Sequence, residues 1–205
     1  MSGLPPGPDR PLGARALALW HKWRHYDRNE RFWRKARLRR HMLRGEWYLR
    51  FPVTGNLLEA LDEGRAEIGP WALIEAGCWF ALYPETATMR IGEGTILNLG
   101  CMVAATERIE IGSHCMFANH CFVADAEHRY DDRELPVTWQ GMEPKGPVKI
   151  GDSCWFGTNV VVTGGVTIGE HTVVGANSVV TADLPSGVVA VGAPARVVRE
   201  IDFKK

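Results

Sequence analysis

The sequence predicts a mainly β chain, wound as a three-sided parallel coil and preceded by a basic α-helical extension. Three observations carry this: an apolar residue at every sixth position from Ile150, a small residue directly after each, and a different period in the first 60 residues. Internal periods are weighed before local propensity, because a repeat decides the architecture.

The coil positions are Ile150, Phe156, Val162, Ile168, Val174 and Val180, followed by Gly151, Gly157, Thr163, Gly169, Gly175 and Thr181. A helix of 3.6 residues per turn cannot keep one residue in six on a single face, and a hairpin sheet needs longer strands. A triangular coil can. Each turn has three short strands and three tight corners, with branched residues stacked inside and glycine where a corner needs unusual dihedrals. The pattern extends back through Ile111, Phe117 and Val123, then Ile91, Leu97 and Val103, and starts at Ile68, Ile74 and Phe80. Between Val123 and Ile150 the chain takes 27 residues where the period needs six, so about 21 are extruded as a loop. Cys78, Cys101, Cys115, Cys121 and Cys154 form no zinc-like pair and read as reduced core residues.

In the first segment Leu19, Trp23, Tyr26, Trp33, Ala36, Leu43 and Trp47 recur at spacings of three, four and seven among Arg and Lys. One or two amphipathic helices are expected there, behind a loose Pro-rich start, "GLPPGPDRP". The domain expectation is residues 1–60 as basic tail and helices, and 61–202 as the coil, with the extruded loop at about 125–147.

A chain of 205 residues suits one domain with an extension. Its 24 basic and 24 acidic residues balance, but residues 1–50 hold 13 Lys and Arg against 4 Asp and Glu, which sets +9 beside −9 in the remainder. The basic helices can pack on the coil or a neighbouring subunit, which is favoured, or make peripheral contact with an anionic membrane or acidic partner. No apolar run approaches the ~20 residues that span a bilayer, and the N-terminus lacks a signal-peptide core, so a cytoplasmic protein is expected, with membrane association as an addition.

The chemistry centres on "ADAEHRYDD", residues 124–132, where the coil stops repeating. Histidine takes a proton near neutral pH, and His128 stands at the mouth of the loop beside Asp125, Glu127, Asp131 and Asp132, any of which could orient its ring. A metal site of His114, His120 and His128 fails because those spacings do not converge on one ion, so none is expected. No serine lies in a Gly-x-Ser-x-Gly turn and there is no Walker loop.

Residues 150–201, "IGDSCWFGTNVVVTGGVTIGEHTVVGANSVVTADLPSGVVAVGAPARVVREI", resemble the C-terminal signature of hexapeptide-repeat O-acetyltransferases related to maltose and galactoside acetyltransferases. The resemblance extends in outline over residues 65–202. It implies a left-handed parallel β-helix, a homotrimer and acetyl-CoA as co-substrate in a groove between neighbouring helices. It also implies His128 as the general base. By motif position Trp155, Thr158, Ala176, Thr181 and Ala182 would line the donor groove, and Arg196 and Arg199 would face nucleotide phosphates, for which guanidinium is suited.

The acceptor half departs from the family. In "LNLGCMVAATERI" Asn98 remains, but Gly100 stands where the family carries its acceptor-binding Asn, and Ala182 stands where a lysine is common. The acceptor contacts expected are Asn98, Asn119, Asp125 and Trp139, and the acceptor is a hydroxyl of a sugar or glycoconjugate. The rival expectations are N-acylation of an amino sugar, a non-catalytic β-helical scaffold and a γ-type carbonic anhydrase.

Overall fold

The computed structural model describes residues 28–204. Three sheets of two- to four-residue parallel strands wrap a single core, with each strand hydrogen-bonded to its counterpart one turn of the coil away. Sheet 1 holds Ala66–Ile68, Thr88–Ile91, Arg108–Ile111, Val148–Ile150 and Thr167–Ile168. Sheet 2 holds Tyr48–Leu49, Leu73–Ile74, Ile96–Leu97, Met116–Phe117, Trp155–Phe156, Val173–Val174 and Val188–Val191, closed by antiparallel Arg196–Glu200. Sheet 3 holds Thr54–Gly55, Trp79–Leu82, Met102–Ala105, Phe122–Ala124, Val161–Val162 and Val179–Val180. The chain visits them in the order 1, 2, 3 and repeats.

Register explains the six-residue period. Ile91, Ile111, Ile150 and Ile168 stack in sheet 1; Ile74, Leu97, Phe117, Phe156 and Val174 in sheet 2; Phe80, Val103, Val123, Val162 and Val180 in sheet 3, all buried. Phe117 and Phe156 lie ring on ring, 4.3 Å between centroids. At the corner leading from sheet 1 to sheet 2 the turns approach so closely that a Cβ on Gly151 would fall 2.6 Å from the Glu170 nitrogen. The histidines at corners have a backbone role. His114, His120 and His171 adopt φ of 56°, 60° and 55°, a left-handed conformation that histidine tolerates better than most residues.

Tyr48–Leu49 and Thr54–Gly55 pair in parallel with Leu73–Ile74 and Trp79–Leu82, so the sheets reach back past the boundary expected at residue 61. Two-residue strands separated by the cis Phe51–Pro52 peptide carry too little pattern to announce themselves.

Helix α1 (Arg28–Gly45) and helix α2 (Leu57–Asp62) cover this end of the coil. The face that α1 turns to the coil is not the expected stripe. Leu38 is buried, Met42 packs on the core, and Arg34, Arg37 and His41 pair with Glu59 and Asp62 of α2, with His41 Nε2 2.8 Å from Asp62 Oδ1. Trp33, Ala36 and Leu43 are exposed instead, and Trp47, beyond the helix end, is buried. The coil end offers carboxylates, which select the cationic side of the helix. Leu19, Trp23 and Tyr26 lie outside the described residues.

All five cysteines are buried and free, in two ladders: Cys78, Cys101 and Cys121, and Cys115 with Cys154. The thiol of Cys101 and burial push Cys121 up from the usual thiol pKa, and Cys115 with burial does the same to Cys154. Because all five are buried, an aromatic disulfide reagent at neutral pH should label none of them in the folded protein and all five in denaturant. Phe156→Ala, which deletes half of the stacked pair, should cost about 3–5 kcal/mol in denaturant unfolding.

Candidate active site

The loop leaves where sheet 3 hands the chain to sheet 1. At the preceding turn this corner is bonded to the next by backbone, Tyr83 N–H to the Ala105 carbonyl and Thr88 N–H to that of Glu107, but here the continuing chain is diverted. Asp125 replaces it. Its side chain is 0 % exposed; Oδ1 accepts from the backbone N–H (2.6 Å) and hydroxyl (2.9 Å) of Thr106, and Oδ2 from the N–H groups of Glu107 and Arg108, both 2.8 Å. Three corner donors that a broken coil would orphan are thus satisfied by one buried carboxylate. The Asp125 carbonyl accepts the returning Lys145 N–H at 2.8 Å, so the loop closes on the same residue. Among the described residues the Asp125 carboxylate bonds this corner alone, and no hydrogen bond joins it to His128.

Beyond the clamp, Ala126–His128 pairs antiparallel with Met142–Pro144, with His128 opposite Met142. This ribbon is an arm. His128 is exposed at its far end, and among the described residues no side chain hydrogen-bonds its ring. The other carboxylates expected to orient it are engaged elsewhere: Glu127 is 3.8 Å from Lys145, Asp131 is 3.6 Å from Arg129, and Asp132 caps the Glu134 N–H at 2.9 Å. Glu143, 3.0 Å from Lys145, raises the lysine's pKa. Short helix α3 (Val137–Gln140) packs beside the arm and carries half-buried Trp139, while Gln140 Nε2 staples the loop by donating to the carbonyls of Asp132 and Leu135, 2.8 Å each. Tyr130, Leu135, Val137 and Met142 leave apolar surface exposed on this loop.

The structure divides the other site residues among three places. Trp155, 52 % exposed, projects from the outer face of sheet 2 between Met116 and Val173, and Arg199 occupies the same row beyond Val189, three strand spacings or about 14 Å away. Arg196 is exposed opposite Val191 on the same terminal strand, and among the described residues each guanidinium bonds only a nearby backbone carbonyl. Asn119, Thr158 and Ala176 form one row along the corner between sheets 2 and 3, with half-buried Asn98 beside its start. Thr181 and Ala182 lie at the corner between sheets 3 and 1, above the root of the loop. That corner is the edge of the prism opposite sheet 2. One chain therefore does not bring Trp155 and Arg199 together with His128. His114 and His120 occupy different corners, apart from each other and from the arm.

Sequence reasoning overlooked the residue that precedes each inward position. In sheet 2 these are Leu73, Ile96, Met116, Trp155 and Val173; in sheet 3, Trp79, Met102, Phe122, Val161 and Val179; in sheet 1, Glu67, Arg90, Glu110, Lys149 and Thr167. Two outer faces are apolar and the third is charged or polar. The signal was available one position from the pattern already recognised.

The six-repeat model of bacterial transferase hexapeptides matches residues 147–182. A probable acetyltransferase of Mycobacterium tuberculosis is 35 % identical over 133 residues, 65 % of this chain and 43 % of that one. The galactoside O-acetyltransferase of Escherichia coli is 31 % identical over 142 residues, 69 % of this chain and 67 % of that one. A solved galactoside acetyltransferase in complex with coenzyme A superposes with a TM-score of 0.60 at 32 % identity, over 71 % of this chain and 70 % of that one. The chain belongs to the hexapeptide-repeat acetyltransferase family. It spans less than half the length of the mycobacterial relative.

Asp125→Ala should lower stability by about 1–3 kcal/mol, since three part-buried N–H groups of the corner lose their acceptor, and Asp125→Asn should fall between it and the parent. Thermal unfolding of the three proteins checks this; equal midpoints would show that Asp125 is not the clamp.

Proposed function

We propose that this chain is an acetyl-CoA-dependent O-acetyltransferase, cytoplasmic in its catalytic part, that acts on a hydroxyl of a sugar or glycoconjugate with His128 as general base. What supports the reading most directly is the combination of family membership with an exposed imidazole, its nitrogens without a hydrogen-bond partner among the described residues, on an arm whose root a buried carboxylate holds. The helix is left-handed in this reading, and the coil of residues 61–202 is its catalytic unit, with residues 1–60 as an accessory segment.

The working enzyme is a homotrimer. Sheet 2 and sheet 3 present different apolar outer faces that adjoin along one corner, so a contact of sheet 2 on one copy with sheet 3 on the next is heterologous, and a three-fold rotation between copies closes it as a ring. Such a ring brings Trp155, Arg196 and Arg199 of one copy toward the loop of another, the meeting that a single chain denies. It also covers Met116, Met102 and the apolar side chains of the loop.

In the reaction, Trp155, Thr158 and Ala176 bound the pantetheine groove, Thr181 and Ala182 extend it, and Arg196 and Arg199 take the nucleotide phosphates. Trp139, Asn98 and Asn119 face the acceptor. An imidazole nitrogen of His128 removes the hydroxyl proton as the oxygen attacks the thioester carbonyl. The carbon–sulfur bond then breaks and the imidazolium returns the proton to the departing thiolate, leaving an ester and free coenzyme A. Backbone N–H groups at the groove stabilise the oxyanion.

The test is thiol release from acetyl-, propionyl- and longer acyl-CoA against sugars, glycolipids and polyols, followed by hydroxylamine treatment, which cleaves esters and spares amides. His128→Ala should lose roughly 10²–10⁴ in turnover with unchanged thermal unfolding. A folded variant that retains full turnover would remove His128 from the mechanism, and a hydroxylamine-resistant product would move the reaction to an amine.

A further inference from the structure

Helix α1 has two unlike faces, and the coil uses only one. With Leu38, Arg34, Arg37 and His41 turned to α2, the opposite side presents Phe32, Trp33, Ala36, Arg40 and Leu43, spaced as one helical stripe. Phe32 and Trp33 are each 67 % exposed and Leu43 is 74 % exposed, more than any apolar residue of sheets 2 and 3. The two aromatic rings meet edge to face with centroids 5.4 Å apart.

Charge tells what covers this stripe. Residues 32–45 contain no Asp or Glu. Arg40 and Arg44 flank the stripe, are exposed, and among the described residues have no carboxylate within 4.0 Å, whereas Arg34, Arg37 and His41 pair with α2 and Lys35 and Arg39 lie over the Phe51 ring. The occupant must therefore be apolar at its centre and anionic around it. A second copy of the same stripe fails that requirement, because it would set Arg40 and Arg44 against their own kind. The stripe is also a single convex helix face rather than a groove, the shape of an interfacial helix. Among the described residues no helix is long and apolar enough to cross a membrane.

We propose that α1 docks the protein on an anionic lipid surface, with Phe32, Trp33 and Leu43 at the acyl boundary and Arg40 and Arg44 on lipid phosphates. Neither the coil nor its chemistry is needed for this, so the inference stands apart from the acetyl-transfer reading.

The experiment is flotation of the full chain with vesicles of phosphatidylcholine alone or with phosphatidylglycerol added. Binding should need the anionic lipid and fall as salt is raised. The pairs Trp33→Ser with Leu43→Ser, and Arg40→Glu with Arg44→Glu, should each reduce bound protein about tenfold or more while leaving thermal unfolding unchanged, since all four side chains are exposed. Absence of binding to anionic vesicles, or undiminished binding by either pair, overturns the proposal. So does a change of oligomer size in light scattering without vesicle binding, which would make the stripe a subunit contact.

Discussion

The in-register stacking of inward side chains, turn upon turn, is the interaction on which the rest of the molecule depends. Ile91, Ile111, Ile150 and Ile168 in one sheet and the stacked Phe117 and Phe156 in another hold the spacing between turns to that of hydrogen-bonded strands. Once that spacing is set, each corner must pass close over the one before it. This is why Gly151 has no room for a Cβ and why several corner residues accept a left-handed backbone. It also turns every outward position into a straight row, which is how Trp155 and Arg199 come to share a face despite a separation of 44 residues.

A structure built this way has little freedom to form a site, because a regular coil presents only repeated rows. The freedom comes from breaking the coil once. The break removes the backbone partners of the Thr106–Arg108 corner, and Asp125 supplies their replacement from within the diverted strand. A carboxylate beside a histidine invites a catalytic reading, yet this one is spent on backbone amides. In this loop the polar residue at the root holds the scaffold, and the residue at the end of the arm is exposed.

The stripe on α1 makes the same point at the other end of the chain. Periodicity found an amphipathic helix there, but could not say which face the coil would accept. Two carboxylates on α2 chose the arginines, and the tryptophan side was left outward. Apolar content predicts a buried face only when the surface opposite is apolar too.

The sequence by itself determined the coil, its inward ladders, the buried cysteines and the position of the interruption, because these follow from a short period that any six residues repeat locally. It also carried, unread, the contrast between two apolar outer faces and a charged third, one residue before each ladder position. The tertiary structure alone decided what Asp125 does, that the carboxylates near His128 are engaged elsewhere, and that Trp155 and His128 lie on opposite sides of one chain. Those facts depend on which residues become neighbours across turns and corners, and spacing along the chain does not encode direction around the prism.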